Sequence, residues 1–269
     1  MKNFLFDRQD VFGEIRSPVL ISNEAICRKS RALTTLRKVI EVCRKLSPDK
    51  FTAAMVDAYR AGADRYGDDW QYADITTLLY SVAELGQPEN YLEIGVRRGR
   101  SACMVAAASP ATSIFAFDLW QPGYAASDNP GPDFVASELR RVGHTGNLKF
   151  VSGDSHQTVP KFVADHPSLR FDLITVDGDH TLVGASDDLA NVVSLLKVGG
   201  VIVFDDIDNP YCPGLDGVWA KFLQQYPELN GSILPNALGL GVGFAIRLWP
   251  SGQRPRNNRQ KGFWAWLKR

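Results

Sequence analysis

The spacing of apolar residues changes character at Tyr91. Before it, apolar positions recur at helical intervals. Leu33, Leu36, Ile40 and Cys43 share one helix face. Ser47-Pro48-Asp49 predicts a cap with a first-turn proline, opening a second helix through Met55 and Tyr59. Asp74 predicts the cap of a third, with Ile75, Leu78, Leu79, Val82 and Leu85 on one face and Gly86 at its end.

After Tyr91, short apolar runs alternate with helical stretches. Strands are expected at 91–95, 113–118, 148–154, 171–179 and 201–206, with two more at 231–234 and 242–248. Helices are expected at 101–109, 133–142, 156–165 and 217–226, and one through Leu182, Leu189 and Leu196 stopped by Gly199-Gly200. This alternation predicts an α/β fold, a doubly wound, mostly parallel seven-stranded Rossmann-like sheet. The organisation reads as an N-terminal helical cap or lid (1–90), an α/β core (91–250) and a C-terminal tail (251–269).

Composition narrows the choices. The 269 residues carry 30 Lys+Arg and 30 Asp+Glu, with 45% hydrophobic and 22% charged residues, an ordinary globular balance. No apolar run approaches the roughly 20 residues of a membrane span, and MKNFLFDRQD lacks the apolar core of a secretory leader. The four cysteines form no CxxC pair, which argues against a zinc cage and fits a reducing, cytoplasmic setting. Zero net charge argues against nucleic acid as a partner. It also hides an asymmetry, since six of the basic residues and no acid fall in 251–269, leaving the body with 24 basic against 30 acidic residues. The tail's Phe263, Trp264 and Trp266 among cations suit weak contact with an anionic membrane surface, or packing on the body or on a second copy in a homo-oligomer.

Ligands of open α/β sheets bind at the carboxyl ends of the strands. Acids collect there: Glu93, Asp118, Asp154, Asp177 and the Asp205-Asp206 pair. A single such Asp can simply cap the next helix, but acids at all five ends repel one another and call for a cationic ligand or a metal. Gly95 and Gly99 predict close backbone approach to a ligand. The loop lacks GxGxxG, and no Tyr-xxx-Lys pair accompanies it, which weakens a nicotinamide reading. Asp118 is spaced to accept hydrogen bonds from ribose hydroxyls.

The ordered set YLEIGVRRGRS, FAFDLW, VSGDS, FDLITVDGDH and GGVIVFDDI resembles the class I S-adenosylmethionine-dependent methyltransferases, most of all small-molecule O-methyltransferases of the macrocin and macrolide-sugar type. The resemblance implies that Glu93, Gly95, Gly99 and Ser101 line the methionine end of S-adenosylmethionine, that Asp118 and Trp120 meet the ribose, and that Asp154 and Ser155 sit at the adenine edge. Asp177 would line the cofactor too. It further implies a divalent cation, Mg2+ or a related ion, held by Asp177, Asp205 and Asp206, with His180 as general base beside Asp177. His180 as a mere helix cap stays open. Trp70, Tyr72 and Asp74 are lid candidates, and His144, His156 and His166 read as surface residues. Arg97, Arg98 and Arg100 read as balancing the acidic cleft. The acceptor would be a small molecule bearing a hydroxyl, on a sugar or a secondary metabolite. The competing reading is a cofactor-binding protein of the same fold without methyl transfer, a scaffold or a hydroxylase-type relative.

Overall fold

The computed structural model describes residues 21–123, 128–236 and 240–251. The basic aromatic segment 252–269 lies outside the described residues, as do 1–20 of the expected cap. Seven strands form one sheet in the order β3-β2-β1-β4-β5-β7-β6. They are β1 (Asn90–Ile94), β2 (Ser113–Asp118), β3 (Leu148–Ser152), β4 (Phe171–Val176), β5 (Leu196–Asp205), β6 (Leu229–Leu234) and β7 (Val242–Arg247). The first five are mutually parallel, and β7 runs antiparallel between β5 and β6. The expected doubly wound, mostly parallel fold is therefore present.

The helices are α1 (Asn23–Ser30), α2 (Leu33–Lys45), α3 (Lys50–Tyr66), α4 (Ile75–Gly86), α5 (Arg100–Ala108), α6 (Pro132–Arg141), α7 (Ser155–Asp165), α8 (Leu182–Val193) and α9 (Leu215–Gln225). Alternation along β1 shows how two cores arise. Tyr91 points into the core built with α1–α6, and Leu92 and Ile94 point into the core built with α7–α9. Parallel strands covered on both faces need apolar residues on both, which is why these runs read as nearly continuous apolar sequence. The N-terminal helices share the first core with the sheet, through Ile26, Val39, Tyr59, Leu78 and Leu79.

Several boundaries differ from expectation for local reasons. Asp49, not Ser47, caps α3, accepting from the Thr52 amide at 2.9 Å, so Pro48 precedes the cap. Ser47 instead donates from its amide and hydroxyl to the buried Glu138 carboxylate. Gly199-Gly200 do not stop a helix. α8 ends at Val193, and both glycines lie inside β5, where a side chain on Gly200 would press on Leu196. β3 and β4 end at Ser152 and Val176, so Asp154 and the 177–180 run belong to loops. The helical cap holds four helices rather than three, α1 being capped by Ser22.

The chain goes from β1 outward to β2 and β3, then returns to place β4 on the other side of β1. The crevice between the carboxyl ends of β1 and β4 is the switch point where such sheets bind ligands.

Candidate active site

At the end of β1, Glu93 is fully buried, on the same face as Tyr91. Ser101, in the first turn of α5, donates to its Oε1 and the Tyr91 hydroxyl lies close to the carboxyl, while Oε2 makes no hydrogen bond of good geometry among the described residues. Burial pushes the Glu93 carboxyl up to about 8, the Ser101 bond opposes this, and the Asp177 charge adds to it. An unpartnered buried carboxyl oxygen is costly, and a cationic ligand end beside it would favour release of its proton and pair with the charge.

The glycines of the first loop serve the protein before they serve any ligand. Gly95 has φ +87°, and a methyl group there would overlap the Asp177 carbonyl of the neighbouring strand end. Gly99, at φ +75°, would push a Cβ to 2.6 Å from Val135. Close approach is thus required between β1 and β4 and between the loop and α6, beside any approach to a ligand.

Asp118, at the end of β2, is nearly saturated. Its Oδ2 accepts from the Val96 and Arg97 amides at 2.8 and 2.7 Å, and its Oδ1 accepts from the Trp120 amide at 2.5 Å and the Asn129 side chain at 3.0 Å. It ties the β1 loop to the β2 loop. The Trp120 indole N–H donates to Ser152 Oγ at 3.0 Å, and its ring meets Phe150 edge-on. Asp154 caps α7 and accepts from the His156 amide and faces His156 Nδ1 at 2.9 Å.

The β4 and β5 ends differ sharply. His180 Nε2 lies 3.2 Å from Asp177 Oδ1 and 3.7 Å from Asp206 Oδ2. One donor atom from each of Asp177, His180 and Asp206 lies within 4.8 Å of the others, a grouping able to hold a metal ion. Asp205 falls outside this group. Burial and the Asp177 and Asp206 charges drive its carboxyl well up, and Asp74 adds to this from the helical cap. Asp206 is raised by burial and by Asp177. The Asp177 hydrogen bond raises His180 despite burial, and Asp206 and Asp179 reinforce it.

Three non-glycine residues with left-handed backbone, Arg97 (φ 52°), Trp120 (φ 53°) and Asp206 (φ 58°), follow β1, β2 and β5. Such strain gathers at functional sites, and residue type alone does not announce it.

Other side chains take roles the sequence did not reveal. His156 is half-buried rather than a surface residue, its Nε2 3.2 Å from the Gly184 carbonyl and 3.8 Å from Asp188. Asp188 is fully buried in α8 beneath Gly178. Its place on the inward stripe with Ala185, Leu189 and Val192 was a visible signal. Arg98 pairs with Asp128 at 2.6 Å and lies over Phe134, and Arg100 lies over Phe51. Both brace neighbouring segments rather than the acidic cleft. Asp74 is buried and accepts from the Tyr59 and Tyr72 hydroxyls and from the Thr76 and Thr77 amides. Trp70 stacks on Tyr72 at 4.8 Å.

Residues 92–207, under half of the chain, match the family described as a methyltransferase domain. Over 134 residues the chain is 29% identical to the Tapetum-specific methyltransferase 1 of Arabidopsis thaliana, a match covering 49% of this chain and 53% of that protein. The chain therefore spans about half the length of the curated relative it matches. Among solved structures, the O-methyltransferase TomG from Streptomyces achromogenes, involved in tomaymycin synthesis and in complex with SAM, is 19% identical. That match covers 85% of this chain and 92% of the other, with a TM-score of 0.50. CalS11, a TDP-rhamnose 3'-O-methyltransferase of calicheamicin biosynthesis, is 23% identical over 78% of this chain and 92% of the other, with a TM-score of 0.49. At these identities the structural likeness shows the fold. The resemblance read from the sequence holds at that level: residues 92–207 match a methyltransferase domain and lie on a Rossmann-like sheet.

Proposed function

We propose that this protein is a methyltransferase that moves a methyl group from S-adenosylmethionine to a hydroxyl of a small molecule, on a sugar or a secondary metabolite, aided by a divalent cation such as Mg2+. The observation that carries the reading is Glu93 Oε2, buried at the β1/β4 crevice and without a good hydrogen bond among the described residues, together with the Asp177, His180 and Asp206 group. A cationic methionine end answers the first, and a hard cation answers the second.

S-Adenosylmethionine supplies an electrophilic methyl carbon on a sulfonium. A carboxylate-bound cation supplies Lewis acidity that lowers the pKa of a bound hydroxyl. The rest falls to the chain. Glu93, held by Ser101, presents its free oxygen to the amino end of the donor. Asp118 fixes the β1 and β2 loops that shape the donor's pocket, with Trp120 and Ser155 on its flank. Asp177, with Asp205 and Asp206 nearby, holds the acceptor side of the crevice, and the acceptor's hydroxyl proton passes to a base there. In-line displacement needs the acceptor oxygen and the methyl carbon held close and aligned, a task for the rigid strand ends. The Trp70–Tyr72 stack on the cap suits a wall over the acceptor. The four cysteines are free thiols, in keeping with a reducing, cytoplasmic setting. No helix among the described residues is long and apolar enough to cross a membrane.

The test is calorimetric binding of adenosylhomocysteine to the full chain, followed by labelled methyl transfer to a panel of hydroxylated small molecules with and without chelator. Binding with chelator-sensitive transfer is expected. Binding with no transfer across the panel would favour the non-transferring scaffold, and full transfer in excess chelator would remove the cation.

A further inference from the structure

Resting on the reading above, we propose that His180 is itself a ligand of the cation, making an Asp177/His180/Asp206 site rather than a three-aspartate one, and that this site prefers Mn2+ and related transition ions over Mg2+.

The argument is geometric. Donors around an octahedral ion of bond length about 2.1 Å lie about 3.0 Å apart when adjacent and about 4.2 Å apart when opposite. His180 Nε2 stands 3.2 Å from Asp177 Oδ1, close to the adjacent separation, and 3.7 Å from Asp206 Oδ2, a shift of under 1 Å from it. The same nitrogen faces two carboxylates on different strand ends. A single N–H points at only one of them, whereas an ion placed among the three satisfies all. The Asp205 carboxyl falls outside the group and interacts with Asp74 and Tyr72 of the helical cap. The expected third carboxylate is thereby replaced by an imidazole. Imidazole is a softer donor than carboxylate and favours transition ions over Mg2+. A ligating Nε2 is also closed to proton transfer, so the acceptor's proton leaves by another group.

The experiment uses the full chain, stripped with chelator and titrated with Mn2+ alone, then with Mg2+ alone. One Mn2+ per chain is expected, with 14N modulation from a bound imidazole in the pulsed electron paramagnetic resonance spectrum. His180→Gln should lose the modulation and weaken Mn2+ binding at least about tenfold. His180→Asp should retain Mn2+ but lower the Mn2+-over-Mg2+ preference by at least about tenfold. Bound Mn2+ without nitrogen modulation in the unaltered chain would overturn the His180 assignment alone, and so would modulation surviving in His180→Gln. Absence of any divalent binding would overturn the cation in the proposed function as well. Adenosylhomocysteine binding on the same samples reports independently on the donor site and on the integrity of each variant.

Discussion

At the end of β2, Asp118 is ringed by three backbone amides and one side-chain amide. At the ends of β4 and β5, Asp177, Asp205 and Asp206 face one another and His180, with Asn209 donating to Asp206 and Asp74 facing Asp205 from the cap. The residue type is the same and so is its place at a strand's carboxyl end, yet the two sides of the switch point use it in opposite ways. On the β2 side the carboxylate's charge is spent on N–H donors and makes two loops rigid. On the β4/β5 side donors are fewer, with Asn209 serving Asp206 at 2.9 Å, and burial with the neighbouring charges raises the Asp205 and Asp206 carboxyls, which leaves them available for a positive ligand. A strand-end acid is therefore not one signal but two, separated by whether backbone donors surround it.

The contrast can be broken most forcefully at Asp177. Asp177→Ala should cut methyl transfer by roughly 10²–10⁴-fold and leave the cofactor-free chain no less stable, because repulsion on Asp205 and Asp206 is relieved. A large fall in melting temperature with little loss of transfer would reverse the assignment. Asp118→Ala should do the opposite. Stripping four donors of their acceptor is expected to cost about 3 kcal/mol of stability, read by denaturant unfolding, and a cost below about 1 kcal/mol would show that the loops hold without it.

Glu93 sits between the two cases, with one oxygen served and one not. Glu93→Gln should weaken adenosylhomocysteine binding about tenfold by calorimetry, the scale of one charge-assisted hydrogen bond. It should also change the pH profile. Glu93 titrates near 4.5 unfolded and is pushed up to about 8 in the fold. Between those values the native state holds a proton that the unfolded chain has released. Stability of the ligand-free protein therefore falls as pH rises through that window and levels off above it. The raised Asp205 and Asp206 contribute with the same sign. The variant should flatten this decline, and an unchanged slope would mean that Glu93 is not the group responsible.

The fold was legible because its signal is periodic. Runs such as VIVFDD and FDLITV declare buried strands, and Asp74 declares a helix start. Boundaries were less so. Gly199-Gly200 read as a helix stop because the sequence carries no mark of the extra strand residues before Val201, where β5 pairs across an irregular register with β4. In the site, the sequence singled out Glu93, Asp118, Asp177, Asp206 and His180, since strand-end position is itself a pattern. It did not separate saturated from crowded acids, because the donors around Asp118 are backbone amides that every residue carries. Nor did it reveal His156 beside Asp188, a pairing across 32 positions made only by packing α7 against α8.

One contact made by α1 has a temporal consequence. The Asn23 side chain donates to the Asn230 carbonyl at 3.0 Å and to Ser232 Oγ at 2.7 Å, joining the first described helix to β6 more than 200 positions later. β6 is the edge strand and joins the sheet only through β7. During synthesis α1 must wait for nearly the whole chain to emerge before it finds this anchor, and contacts of such separation form late. The segment with Tyr72 and Asp74 is held by Tyr59, Thr76 and Thr77 close by in sequence and does not wait for that anchor. A chain stalled before β6 would therefore hold its strand ends and most of the cap, with only the seam between α1 and the sheet edge left open.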